Sequence, residues 1–185
     1  ALLNALAAEM ATDAENLARL VSSEMGKTIR EARNEIRRAQ NTLKLAGDAA
    51  TFLDGEALHC AVVEGGADRL ATVTYEPVGV VGAITPFNYP VNLLCHKLGP
   101  AIAAGNAVVA KPSPKAPLAA NRLCELARKA GWPEDLFQVV NGGAEAALAL
   151  ARAPIDLLSF TGGPAAGLAL KNASGLVRCL MELGG

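Results

Sequence analysis

Aromatic residues are scarce in this chain, one Trp, two Tyr and four Phe, or 4% of 185 residues. So few stacking platforms argue against a single-stranded nucleic-acid surface. An excess of one charge is lacking too. Lys and Arg number 17, Asp and Glu 18, the net charge is −1, and no basic block stands out. Neither nucleic acid nor an anionic membrane is therefore an expected partner. No apolar run reaches the ~20 residues that cross a bilayer, because Gly, Pro or charge interrupts each one. No signal-peptide pattern is visible. The four cysteines, Cys60, Cys95, Cys124 and Cys179, form no CxxC or CxxH pair. No metal site is expected; free thiols in a reducing, cytoplasmic setting are.

The chain is 51% hydrophobic and 19% charged, apolar enough for a core. Its length suits one domain with extensions. Ala1 already lies in a helical pattern, and Gly184-Gly185 follow an apolar run. Both ends read as cut, so a longer parent protein is expected.

Residues 1–53 read as helices. Leu2, Leu3, Leu6 and Met10 recur at helical spacing. Thr12 or Asp13 suits the cap of a second helix running to Met25, where Gly26 stops it. A further helix from about Thr28 carries Arg30, Glu31, Arg33, Glu35, Arg37 and Arg38, which reads as a solvated face without chemistry. Residues 54–77 change character. Asp54-Gly55 and Gly65-Gly66 mark turns around two β-prone runs, Ala61-Val62-Val63 and Leu70 through Tyr75. A projecting β-hairpin is expected.

From residue 78 the rhythm becomes α/β. Apolar strands at 79–84, 107–111, 137–141, 156–160 and 177–183 alternate with helices at 92–104, 118–130, 144–151 and 165–173. Near-continuous apolar strands predict a five-stranded parallel sheet buried on both faces, a Rossmann-like fold. Such sheets bind ligands at the carboxyl ends of their strands.

The strand ends carry the informative residues. Pro86 and Pro90 bracket Asn88 and stiffen its loop. A rigid Asn at a strand end is suited to stabilise an oxyanion or to cap the next helix. Lys111 and Ser113 follow the second strand and suit ribose hydroxyls or a phosphate; a solvated lysine is the plain alternative. Gly142 in Asn141-Gly142-Gly143 either serves a turn or lets an adenine ring approach. Thr161, Gly162, Gly163 and Gly167 form a glycine-rich entry to a helix, a place for a pyrophosphate, although the spacing is not GxGxxG. Glu182 ends an apolar strand and suits a general base or an ordinary solvent contact.

Taken in order, these segments resemble the aldehyde dehydrogenase superfamily. The matching runs are Glu24-Met25-Gly26-Lys27, Glu76-Pro77-Val78-Gly79-Val80, Pro86-Phe87-Asn88-Tyr89-Pro90, Gly99-Pro100-Ala101 through Ala104-Gly105-Asn106, Lys111-Pro112-Ser113, Phe160-Thr161-Gly162 and Glu182-Leu183-Gly184-Gly185. The resemblance covers nearly the whole chain. It implies oxidation of a small aldehyde through a cysteine thiohemiacetal, with hydride passing to NAD or NADP. It implies Asn88 as the oxyanion donor and Glu182 as the base. It implies a cofactor lined by Ile84, Thr85, Pro86, Phe87, Lys111, Ser113, Gly142, Thr161, Gly162, Gly163, Gly167 and Leu183. Residues 1–53 become the helical part of the cofactor domain, 54–77 an oligomerisation arm of a homodimer or tetramer, and 78–185 the NAD(P)-binding domain.

Three positions depart from the family. Phe87 stands for a Trp, and Gly163 for a Ser that contacts the pyrophosphate. Pro114 stands for a Glu that NAD-preferring members use on the ribose diol, which leaves NADP open. The nucleophilic cysteine of the family lies beyond the last residues here, on a catalytic domain. Cys95, Cys179 and His96 read as packing, and Lys97 as an anchor for the Asn88 loop. The isolated chain is expected to be inactive. The alternatives are a truncated nucleotide-binding or interaction module and an acyl-phosphate reductase on the same scaffold.

Overall fold

The computed structural model describes residues 1–184. Gly185, the end of the Glu-Leu-Gly-Gly segment, lies outside the described residues. Three helices come first, α1 (Leu2–Thr12), α2 (Ala14–Met25) and α3 (Ile29–Ala49). Gly26 ends α2 with a left-handed φ of 68°. Thr28 then opens α3 with a reciprocal capping box to Glu31. The expected cap of α2 is not made: the Asp13 side chain does not bond the helix backbone but reaches Arg122 at 2.8 and 2.9 Å. A bidentate guanidinium is the stronger partner for a carboxylate.

Strands β1 (Glu56–His59) and β2 (Leu70–Val73) form the antiparallel hairpin, with Glu56 opposite Val73 and His59 opposite Leu70. The first strand thus precedes the expected run. Ala61 and Val62 lie in a 3₁₀ turn, and Val63 donates to the Cys60 carbonyl at 3.1 Å. The valine side chains stay in solvent there; Val62 is 92% exposed. Propensity alone does not make a strand.

Five parallel strands follow: β3 (Val80–Ile84), β4 (Ala107–Lys111), β5 (Phe137–Val139), β6 (Leu157–Gly162) and β7 (Arg178–Leu183). Between them run α4 (Pro90–Ala103), α5 (Leu118–Lys129), α6 (Ala144–Arg152) and α7 (Pro164–Ala173). The strand order is β5-β4-β3-β6-β7, a doubly wound sheet. One face packs on α4 and α5, which in turn rest on α1 to α3. The helical residues 1–49 share that core with Val81, Ala83, Val108 and Ala110. Close helix crossing needs Gly99 on α4, where an added Cβ would stand 2.9 Å from the Ala46 Cβ. The opposite face packs Ile84, Leu158 and Phe160 against α6 and α7.

Burial on both faces holds for the central strands but not for β7. Its residues alternate between exposed and half-buried, and Leu180 is 55% exposed. An edge strand has one neighbour, and here α7 covers only the side carrying Cys179 and Met181.

Candidate active site

The switch point of the sheet lies between β3 and β6. The chain leaves β3 toward β4 on one side, and β6 toward β7 on the other, so their carboxyl ends cannot be bridged and a crevice opens. A cleft of about 410 Å³ occupies it. Its wall includes Ile84, Thr85, Pro86, Phe87, Lys111, Ser113, Thr161, Gly162 and Gly163. A second cleft of about 490 Å³ shares Pro86, Phe87, Thr161 and Gly162 with the first and adds Asn88, Glu182 and Leu183. Two of the expected residues stand back from both. Gly142 offers its carbonyl to Lys111, and Gly167 is buried in the first turn of α7, where a Cβ would meet the Leu183 Cδ2 at 2.7 Å. Helix-to-strand packing, not ligand contact, explains that glycine here. The wall also holds Pro114, Gly143, Ala144, Ala147 and Leu148. The last four lie on or just before α6. The sequence marks that helix as apolar but not the face it turns.

Lys111 is buried rather than solvated, at 4% exposure. Its ammonium donates to the Pro112 carbonyl at 2.8 Å and the Gly142 carbonyl at 3.0 Å, which leaves one of three N–H donors. Desolvation pushes its pKa below the ordinary lysine value. Thr85 is 3% exposed and its Oγ1 has no hydrogen-bond partner. A buried hydroxyl left unpaired on the wall of a cleft calls for a polar ligand. The N-termini of α6 and α7, at Gly143 and Gly163, border the same space, and an added Cβ would meet nothing within 4 Å at either glycine. Helix amides at such ends lack internal acceptors and attract anions. Among the described residues no carboxylate lines this cleft.

In the second cleft, Asn88 is exposed and its Oδ1 accepts the Tyr89 N–H at 3.2 Å. With its oxygen so engaged, the side-chain amide keeps its NH₂ as a donor. Glu182 accepts from the Thr161 hydroxyl at 2.9 Å, and its Oε1 lies 3.8 Å from the Lys97 ammonium. Lys97 does not anchor the Asn88 loop. It runs beneath the sheet end, donating to Ser159 at 3.0 Å, because α4 packs over β3 and β4 and Lys97 is buried on the sheet side. Burial lowers its pKa and the Glu182 charge opposes that.

A model of the aldehyde dehydrogenase family matches residues 1–185. The chain belongs to this family. It is 44% identical to aspartate-semialdehyde dehydrogenase 1 of Pseudomonas canavaninivorans, over 100% of this chain and 39% of that protein. It is 43% identical to the 3-sulfolactaldehyde dehydrogenase of Priestia aryabhattai, over 92% of this chain and 36% of that protein. The structure of the NADP-dependent glyceraldehyde-3-phosphate dehydrogenase from Bacillus halodurans C-125, complexed with NADP, superposes with a TM-score of 0.95 at 36% identity. It is covered to 39%, and this chain to 100%. The chain therefore spans less than half the length of the relatives it matches.

Among the described residues of this aldehyde dehydrogenase chain no thiol lines either cleft. Cys95 is fully buried in α4, and burial, with the Glu35 charge added, pushes its pKa far up. Cys179 is half-buried beside the Ser174 hydroxyl at 3.2 Å. His96 is exposed rather than packed. Among the described residues no cluster of three His, Cys, Asp or Glu side chains forms, and no helix is long and apolar enough to cross a membrane.

Proposed function

We propose that the protein carrying this chain oxidises a small aldehyde to a carboxylic acid with NAD or NADP. Residues 78–185 form its cofactor domain, 1–53 the helical back of that domain, and 54–77 an arm for self-association that exposes Leu58, Val62 and Leu70. The observation that carries the reading is the pair of clefts with a common wall. Among the described residues one is anion-friendly and free of carboxylates; the other holds an amide and a carboxylate.

Bound NAD(P)⁺ supplies the hydride acceptor. Lys111, steadied by the Gly142 carbonyl, and Ser113 would hold a ribose, and the Thr161–Gly163 turn with the α7 amides would hold the pyrophosphate. Ile84, Thr85, Pro86, Phe87 and Leu183 would line the remainder, with Gly167 keeping α7 close. The absence of a carboxylate near Pro114 removes the group that would repel a 2′-phosphate, so either cofactor fits.

Asn88 donates to the aldehyde oxygen as a thiolate adds to the carbonyl carbon, and so stabilises the oxyanion. Glu182 removes the proton from the thiol or from the water that later attacks the thioester. Thr161 and Lys97 hold its two oxygens. The thiol comes from outside these 185 residues, because no cysteine here reaches the clefts. The isolated chain should not turn over aldehyde.

The test uses the whole protein and a panel of small aldehydes, reading NAD(P)H. Asn88→Ala should lower turnover on the order of 10²–10³-fold, the usual cost of one oxyanion donor. Normal turnover in that variant would overturn the role. A rise of NAD(P)H with the purified 185-residue chain would overturn its inactivity.

A further inference from the structure

The loop that carries Asn88 is held from behind by a buried charge. Glu35 lies in the middle of α3 with its side chain 0% exposed. One carboxylate oxygen accepts the Val91 N–H at 2.9 Å and the Asn92 N–H at 3.2 Å. Those amides belong to the first turn of α4, which has no cap of its own: Tyr89 stands at the N-cap and makes no side-chain bond. The other oxygen accepts from the Lys27 ammonium at 2.7 Å. Lys27 in turn sits 3.8 Å from the centroid of the Tyr89 ring. Tyr89 is the residue next to Asn88, and its N–H is the donor to the Asn88 side chain. The network therefore grips the Asn88 loop at both its helix start and its aromatic side chain.

A buried carboxylate is costly unless every oxygen is satisfied, and here three donors do so. The α4 dipole adds a favourable field. Replacing the pair by apolar residues would serve packing equally well. What a charge contributes is a defined direction for the α4 amides and hence for the residues immediately before them.

We propose that Glu35 is a positioning residue that, with Lys27 and Tyr89, sets the Asn88 amide in place for the reaction. The proposal rests on the oxyanion role of Asn88 given above. A displacement of about 1 Å at such a donor can cost up to ~100-fold in rate.

The experiment uses the whole protein with Glu35→Gln and Tyr89→Leu, each alone and combined with Asn88→Ala. Glu35→Gln keeps the size but sets an NH₂ against the Lys27 ammonium. Expected is a ~10- to 100-fold loss of kcat with the cofactor KM little changed, and a several-fold loss for Tyr89→Leu. Both losses should disappear in the Asn88→Ala background, where nothing remains to position. Hydrogen exchange of segment 86–92 should quicken in both variants, with α5 unaffected.

Wild-type kcat with unchanged exchange, or a kcat loss equally large in the Asn88→Ala background, would overturn the proposal. Should Glu35→Gln fail to fold, Tyr89→Leu decides by the same rule, because its ring is 42% exposed and carries little of the core. Normal turnover in Asn88→Ala alone would instead remove the oxyanion role, and the exchange data would then still show whether Glu35 fixes the loop.

Discussion

Helices α4 and α5 start at neighbouring strand ends, yet their first turns are held differently. Neither carries a local side-chain cap. Each borrows a glutamate from the N-terminal helices: α4 takes Glu35 from α3, and α5 takes Glu24 from α2, whose oxygens accept the Leu118 and Ala119 N–H groups at 2.6 and 3.0 Å. Glu35 is sealed from water and paired with Lys27; Glu24 is only half-buried. The sealed cap follows the loop bearing Asn88, and the wetter one follows the loop bearing Ser113. The difference teaches that the N-terminal helices are more than a scaffold beside the α/β unit. They complete the backbone of its two cleft-lining loops, most rigidly where chemistry is proposed.

The largest effect that would test this contrast is on stability. Glu35→Ala strands the Lys27 ammonium and two α4 amides in the interior. Removing one partner of a buried pair costs about 3–5 kcal/mol, and with Lys27 still 17% exposed the loss here should be about 3 kcal/mol. Urea unfolding of the whole protein measures it as a lowered midpoint. Glu24→Ala comes next. Water can reach the α5 amides it leaves, so an ordinary cap loss of about 1 kcal/mol is expected. Its functional echo should fall on the cofactor KM through the Ser113 loop, with kcat unchanged. Equal losses for the two variants would break the contrast, since burial would then not be what separates them.

Much of the α/β unit was legible in the sequence. Strand 107–111 coincides with β4, and the other four differ only at their ends. Buried parallel strands are near-continuous apolar runs, and glycines and prolines bound them. The ends were less legible because pairing decides them: β6 continues to Gly162 since Thr161 and Gly162 pair with Glu182 and Leu183 of β7. At the site, Asn88, Lys111 and Glu182 were legible because a strand end is a local feature. The grip on the Asn88 loop was not. Glu35 looked like one charge among six on a solvated helix, and the α4 amides it accepts from lie 56 and 57 residues away. A signal was nonetheless present. Ala32, Ile36, Ala39 and Leu43 are the buried stripe of α3, and Glu35 falls on that stripe rather than opposite it. A carboxylate on an apolar stripe demands buried partners.

The smallest expected effect concerns another tie between the N-terminal helices and α5, which extends the contrast to pH. Asp13 meets Arg122 in a half-buried bidentate pair, while Arg122 also bonds Glu125 at 2.8 Å. The Arg122 hydrogen bonds hold the Asp13 carboxyl below its ordinary value of 3.8, against the opposing cost of burial. A depressed carboxylate contributes stability that is fully present above the unfolded value and is lost as pH falls through the folded one. Water screens the pair and Glu125 stands ready as a substitute, so Asp13→Asn should cost less than about 1 kcal/mol at neutral pH. The gap between wild type and variant should narrow as unfolding is measured at pH values descending below 3.8. A gap that widens with acid would mean that Asp13 is not the titrating partner.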